Sequence, residues 1–293
     1  MYRYIQAEKV NDPEVRVAVM CRVLGVSRSG YYDWSRRARR PVRGRCAQNL
    51  ALTEQIRRVH ERFRYYGSPR IREELLAENP RLGRHRVARL MREHGIRANR
   101  GKVKTRKRAA PPARRPEILD LVHRDFHADV PNAVWFTDIT QIRTGQGWLY
   151  AAVILDAFNR EVITWAVAGY DTPKTAMTAL TDAIRIRRPP QGCIIHSDRG
   201  YQFTAHDWVD TATAHRLSVS MGALKTCFDN AAMESWFASF KNEELYPNGQ
   251  PATRDEARRR LFNYIWTYNT TRRHSTLGYV APRIYATQSS ICP

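Results

Sequence analysis

Residues 134–142 read Val-Trp-Phe-Thr-Asp-Ile-Thr-Gln-Ile. Branched and aromatic side chains dominate, which is the composition of a buried or half-buried strand. In its middle stands Asp138, a carboxylate that is costly to desolvate unless something compensates it. Two more β-like runs follow at once, 148–156 and 162–167. Thr144-Gly-Gln-Gly147 and Ala157-Phe-Asn-Arg160 form the turns between them. Further on, the pattern predicts a helix over 172–187, a short apolar strand over 193–196, a helix over 206–216 and a strand near 217–220. Two helices, over 230–245 and 253–268, close the chain. Three meandering strands followed by alternating helices and strands predict an α/β fold, a mixed five-stranded sheet covered on both faces.

Two other acids share the unusual setting of Asp138. Asp198 ends the apolar strand in His196-Ser-Asp-Arg-Gly200, and Glu234 lies early on a helix in Asp229-Asn-Ala-Ala-Met-Glu-Ser-Trp-Phe237. Each alone reads as a solvated charge, a turn or a cap. Brought together they would repel, and resist ionisation, unless a cation sat among them. Hard oxygen ligands of this kind suit Mg²⁺, and a pair of such ions can clamp both oxygens of an in-line phosphoryl displacement.

Asn230, Glu234 and Lys241 fall at i, i+4 and i+11, so one helix face carries all three. Lys241 is expected to contact a phosphate of the reacting group, and Asn230 either to cap the helix or to touch substrate. His196 shares a strand face with Asp198 and is either its partner or a core histidine. Asp156 ends its strand at a tight turn and is assigned to that turn.

The charge is lopsided. Net charge is +21, with 31 Lys+Arg against 10 Asp+Glu in residues 1–116 and 18 of each in 117–293. Such asymmetry predicts a polyanion-binding front end on a neutral body. Residues 1–45 read as a helical hairpin and a basic linker (36–45), with a stripe of Val15, Val19, Val23 and Leu24, a break at Gly25 and an N-cap at Ser27. Residues 46–100 read as a helix-turn-helix module with helices over 53–63, 69–78 and 84–94. On the last of these, Arg84, Arg86 and Arg89 are spaced to meet a phosphate backbone or base edges. Residues 101–122 form a basic Pro/Arg-rich linker, and 123–293 the α/β body.

Taken with their spacing, these residues resemble a known family. Asp138, Asp198, thirty-five intervening residues, Glu234 and then Lys241 make the Asp-Asp-Glu signature of retroviral integrases and insertion-sequence transposases. The chain is most similar to the second reading-frame product of the insertion-sequence-three family. The resembling stretches include Trp135-Phe-Thr-Asp-Ile-Thr140, His196-Ser-Asp-Arg-Gly200, Arg272-Arg-His-Ser-Thr-Leu-Gly-Tyr279 and, upstream, Tyr66-Gly-Ser-Pro-Arg-Ile71.

The resemblance implies a ribonuclease-H-like core in which Asp138, Asp198 and Glu234 hold two Mg²⁺ ions, with Mn²⁺ able to substitute. It further implies nicking at transposon ends, then attack of the freed 3′-hydroxyl on another strand, by a homo-oligomer assembled on DNA. Such proteins often act as a frameshifted fusion with an upstream product. A non-catalytic DNA-binding regulator, or a nuclease of the same fold that only hydrolyses, remain the alternatives.

Other chemistries find less support. Tyr268 with Arg272, Arg273 and His274 could suggest a tyrosine recombinase, but that leaves the three acids without a role. A basic cluster after the last helix more simply gives Arg272 and Arg273 to DNA. Five scattered cysteines without a Cys-x-x-Cys pair argue against a disulfide framework or a cysteine zinc site. No phosphate-binding Gly-x-x-x-x-Gly-Lys loop occurs. With no apolar run of membrane-spanning length and no secretory signal, the chain reads as cytoplasmic, associated with a bacterial nucleoid.

Overall fold

The computed structural model describes residues 1–39, 44–99, 117–222 and 230–289. The chain divides into two compact units, Met1–Arg57 and Arg58–Pro293. The division falls inside one continuous helix.

In the first unit, α1 (Tyr2–Asn11), α2 (Val17–Val23) and α3 (Arg28–Arg39) enclose a small core of Ile5, Val17, Cys21 and Tyr31. The expected stripe is therefore on the wrong face: Val19 is 49% and Val23 78% exposed. Position 17 lies two residues from 19, about 200° round a helix. The sequence reading lacked α1, whose Ile5 draws the opposite face inward. Gly25 adopts a φ of +60°, which the left-handed break needs. Ser27 Oγ then accepts the Gly30 N–H at 3.2 Å and starts α3. The basic run is helix as far as Arg39 and again from Arg45, where α4 (Arg45–Arg62) begins. Expected linker residues 40–43 and most of 101–122 lie outside the described residues.

The second unit opens with the end of α4, then α5 (Ser68–Leu75) and α6 (Arg84–Glu93). Pro69 occupies the first turn of α5, where its missing N–H costs nothing. Ile71, Leu75, Val87, Leu90 and Met91 are buried, as the helical period requires.

The sheet follows: β1 (Val134–Thr144), β2 (Gly147–Asp156), β3 (Val162–Ala168), β4 (Ile194–Ser197) and β5 (Ser218–Met221). Their order is β3-β2-β1-β4-β5, antiparallel through β1–β3 and parallel from β1 to β4 to β5. This is the expected mixed five-stranded sheet. Strand alternation splits its side chains between two cores. Trp135, Ala152 and Ile154 pack with α7 (Pro173–Arg187) and α8 (His206–Ala214). Phe136, Ile142, Val153 and Leu155 pack on the other face with α9 (Ala231–Phe240) and α10 (Arg254–Thr270). A π-helical turn, Lys241–Leu245, continues α9, and α11 (Pro282–Ser289), absent from the sequence reading, closes the described chain. Residues 223–229, just before α9, lie outside the described residues.

Candidate active site

The alternation that builds the core also places the acids. On β1, Asp138 has the parity of Phe136 and points to the α9 face. In the parallel neighbour β4, Phe136 pairs with His196 in register, so position 198 stands beside position 138 across a spacing of about 4.8 Å between strands. Asp198 is the first residue past β4, at the carboxyl end of the sheet. In open α/β sheets, ligands gather at that end of the strands.

The electrostatics agree with the register. Burial is the first cause that holds the Asp138 carboxyl well above the ordinary carboxylate range. The charge of Asp198 adds to this, and that of Glu234 adds less. A hydrogen bond from Ile139 N–H to Asp138 Oδ1 (2.7 Å) and the Lys241 ammonium act the other way. Asp198 is likewise pushed up, mainly by burial, against the Gly200 N–H that it accepts at 2.8 Å and the charge of His196. Position 200 needs a glycine: a Cβ there would lie 2.8 Å from Asp198 Oδ1. Glu234, exposed in the first turn of α9, is raised by partial desolvation. The Lys241 ammonium, first residue of the π-turn, is pushed down by burial and partly restored by Asp138.

The donor set suits a hard divalent cation: oxygen ligands whose shared charge only a cation would relieve. The three acids nevertheless do not form a closed cage. Among the described residues, no group of three or more His, Cys, Asp or Glu side chains is close enough to hold a metal ion. Asp138 and Asp198 are neighbours, and Glu234 acts on Asp138 from the flank.

Other expected residues have different surroundings from those read in the sequence. Asn230 stands at the N-cap of α9 but makes no capping hydrogen bond. Its Nδ2 donates to Thr137 O (2.9 Å), and its Oδ1 is buried without a partner. At 7% exposure it is a pin between α9 and β1, next to Asp138.

His196 is fully buried, with Nδ1 2.8 Å from Ser220 Oγ, so it belongs to the core. Asp156 accepts the N–H groups of Asn132 and Phe158 at 3.0 Å each, the turn role expected of it.

Arg272 is corrected most sharply. It is 3% exposed, and its guanidinium forks onto Glu243, Nε to Oε2 at 2.7 Å and Nη2 to Oε1 at 2.6 Å. Its charge is therefore engaged by Glu243. Its neighbour Arg273 is half-buried and bonds Glu74 of α5 at 2.6 and 3.3 Å, while its N–H donates to Tyr66 Oη (2.7 Å). Arg70 of α5 reaches the same Glu243 at 3.6 Å. This network ties α5 to the π-turn and to the chain after α10. No pattern in the sequence marks it, because its partners are far apart along the chain. Tyr268, the supposed nucleophile of a recombinase, is 4% exposed and packs on Arg272 and His274.

On α6, Arg84 is exposed, Arg86 half-buried, and Arg89 is engaged by Glu93 at 2.9 Å.

Comparison with known proteins agrees with this anatomy. Residues 128–227 and 215–282 match two family models, each described as an integrase core domain, and residues 47–104 match one described as an HTH-like domain. Transposase InsF for insertion sequence IS3A of Escherichia coli (strain K12) is 36% identical over 286 residues, which is 96% of each chain. The insertion element IS600 uncharacterized 31 kDa protein of Shigella sonnei is 37% identical over 268 residues, 91% of this chain and 97% of that one. Among solved structures, the simian T-cell lymphotropic virus intasome in complex with PP2A regulatory subunit B56 gamma aligns over 81% of this chain and 76% of that one, at 15% identity and a TM-score of 0.49. Identity of 36% over 96% of both chains with an IS3 transposase means that the chain belongs to the IS3 family of insertion-sequence transposases.

Proposed function

We propose that Asp138, Asp198 and Glu234 are the catalytic acids of this DNA transposase, a polynucleotidyl transferase, and that they bind Mg²⁺, as two ions, with Mn²⁺ able to replace it. The observation that carries the reading is the parallel β1–β4 register, which supports two elevated carboxylates side by side at the carboxyl end of the sheet. When bound, the ions supply charge neutralisation for both oxygens of an in-line displacement at phosphorus. Asp138, Asp198 and Glu234 would be the residues that hold the ions. Asn230 fixes the start of α9 against β1 through Thr137 O and so limits where Glu234 can go. Lys241 keeps a cation near Asp138 and offers a donor to a phosphate oxygen at the cleaved end.

The reaction under this reading is a nick at a transposon end, followed by attack of the freed 3′-hydroxyl on a second phosphodiester. Residues 46–100, with Arg84 foremost, hold the DNA. Because two ends must be kept together, more than one copy acts on DNA, alone or fused to an upstream reading-frame product.

The test is strand cleavage and joining on a duplex that carries a terminal sequence, with Mg²⁺ or Mn²⁺. Asp138→Asn is expected to lower both by more than ~10³-fold, about 4 kcal/mol of transition-state stabilisation, while band-shift binding persists. Cleavage at the parental rate in that variant refutes the assignment. Joined products separate strand transfer from simple hydrolysis.

A further inference from the structure

A second site lies against the same helix. A cavity of about 280 Å³ is lined on α9 by Ser235, Trp236 and Ser239, and opposite them by Arg70, Arg160 and Arg272. No carboxylate is among its lining residues. Arg70 and Arg272 share Glu243. Arg160 has no carboxylate partner among the described residues; its Nη2 donates only to Phe126 O, at 2.8 Å. Trp236, 2% exposed, has a buried Nε1–H without a partner, a state that folded proteins avoid.

His274, also in the wall, accepts a hydrogen bond from Arg272 Nη1 at its Nε2 (3.0 Å), since a guanidinium can only donate. Its Nδ1 therefore carries the hydrogen and is one more donor. Its basicity is depressed to about 2, first by burial and then by the fields of Arg272, Arg70 and Arg160. Three guanidinium fields thus add up in one place. Ser275 and Thr276 are exposed where they line the cavity.

Donors without acceptors, in a place where three guanidinium groups are met by the single carboxylate of Glu243, fit a tetrahedral oxyanion. We propose that this cavity is a phosphate-binding site that seats one backbone phosphate of DNA passing α9, with Arg160 as its principal cation and the Trp236 indole as a neutral donor. The site is distinct from the three acids, and its occupancy can be measured without turnover.

The experiment follows the indole N–H resonances of the full chain during titration with inorganic phosphate, against chloride at equal ionic strength. Trp236→Phe assigns the relevant signal. A saturating shift confined to that signal is expected, with affinity at least ~10-fold lower in both Arg160→Met and Thr276→Glu, the loss of one charge-assisted contact. A short duplex should move the same signal and be competed by phosphate, and Arg160→Met should reduce the slope of log affinity against log salt by about 0.9. Phosphate acting no differently from chloride, or parental affinity in the variants, overturns the site. A phosphate response that no duplex reproduces overturns its assignment to DNA. Should Arg160→Met fail to fold, Thr276→Glu decides alone, because that side chain is exposed.

Discussion

Two clusters of charge border α9 and the π-turn after it, and they are built on opposite terms. Around Asp138 three acids face one lysine; burial drives all three carboxyls upward, and the charges of Asp198 and Glu234 raise Asp138 further. Around Glu243 a single carboxylate is held between Arg272 and Arg70, with Tyr264 Oη donating at 3.1 Å. Both clusters place ionisable groups out of water. The first leaves its carboxyls in excess of cations, whereas the second gives its one carboxylate two cationic partners. Burial of charge is therefore a poor guide to function, and imbalance of buried charge a better one.

The sharpest way to break this contrast is to neutralise one acid from each cluster and measure stability. Glu243→Gln strands Arg272 inside the protein, and removing one partner of a buried pair costs about 3–5 kcal/mol. Its urea midpoint should fall accordingly. Asp138→Asn removes a charge that folding disfavours, so the metal-free protein should unfold at an equal or slightly higher urea concentration. Equal losses in the two variants would make Asp138 a structural ion and remove the distinction.

The same contrast explains what could be read from the sequence. Strand composition is a local property, so the apolar runs around Asp138 and before Asp198 were enough to mark the strands that carry these two acids; that the strands pair in parallel is a long-range fact that the fold supplies. Ion pairing is not local. Arg272 looked like a surface cation because Glu243 and Arg70 are distant in the chain, and the Arg-Arg-His run carries no trace of them. Val19 and Val23 failed for a related reason: a seven-residue helix offers two possible apolar faces, and only the unforeseen α1 chose between them. Asn230 could be read either as a cap or as a substrate contact from its type and position, and its tie to Thr137 O depends on a strand 93 residues away.

A smaller effect tests the cationic field around Glu243. His274 is held neutral in the folded chain, its pKa lowered to about 2, whereas an ordinary histidine titrates near 6.5. The unfolded chain thus takes up a proton that the folded chain refuses. The resulting stability is complete above about pH 6.5 and is lost as pH falls toward about 2, by up to ~1.4 kcal/mol per unit. Denaturant titrations at about pH 7 and about pH 5 should show this loss, and His274→Gln, which can still accept from Arg272, should flatten it. A pH dependence unchanged by that substitution would mean that the guanidinium fields are screened and that the cluster is less enclosed than its geometry implies.

The smallest expected effects lie on α6, where compensated and uncompensated charge can be compared one turn apart. Arg84 is exposed, and Arg89 is held by Glu93 four residues on, a pairing worth about 0.3–0.5 kcal/mol on a helix surface. If uncompensated charge is what serves DNA, Arg84→Ala should weaken duplex binding and reduce the slope of log affinity against log salt by about 0.9, the signature of one lost phosphate contact. Arg89→Ala should change that slope less, since its guanidinium would first have to leave a carboxylate. It should also lower the unfolding midpoint slightly, which Arg84→Ala should not. Equal slopes for the two variants would show that an exposed ion pair exchanges freely for a phosphate, and would confine the rule of charge imbalance to the protein interior.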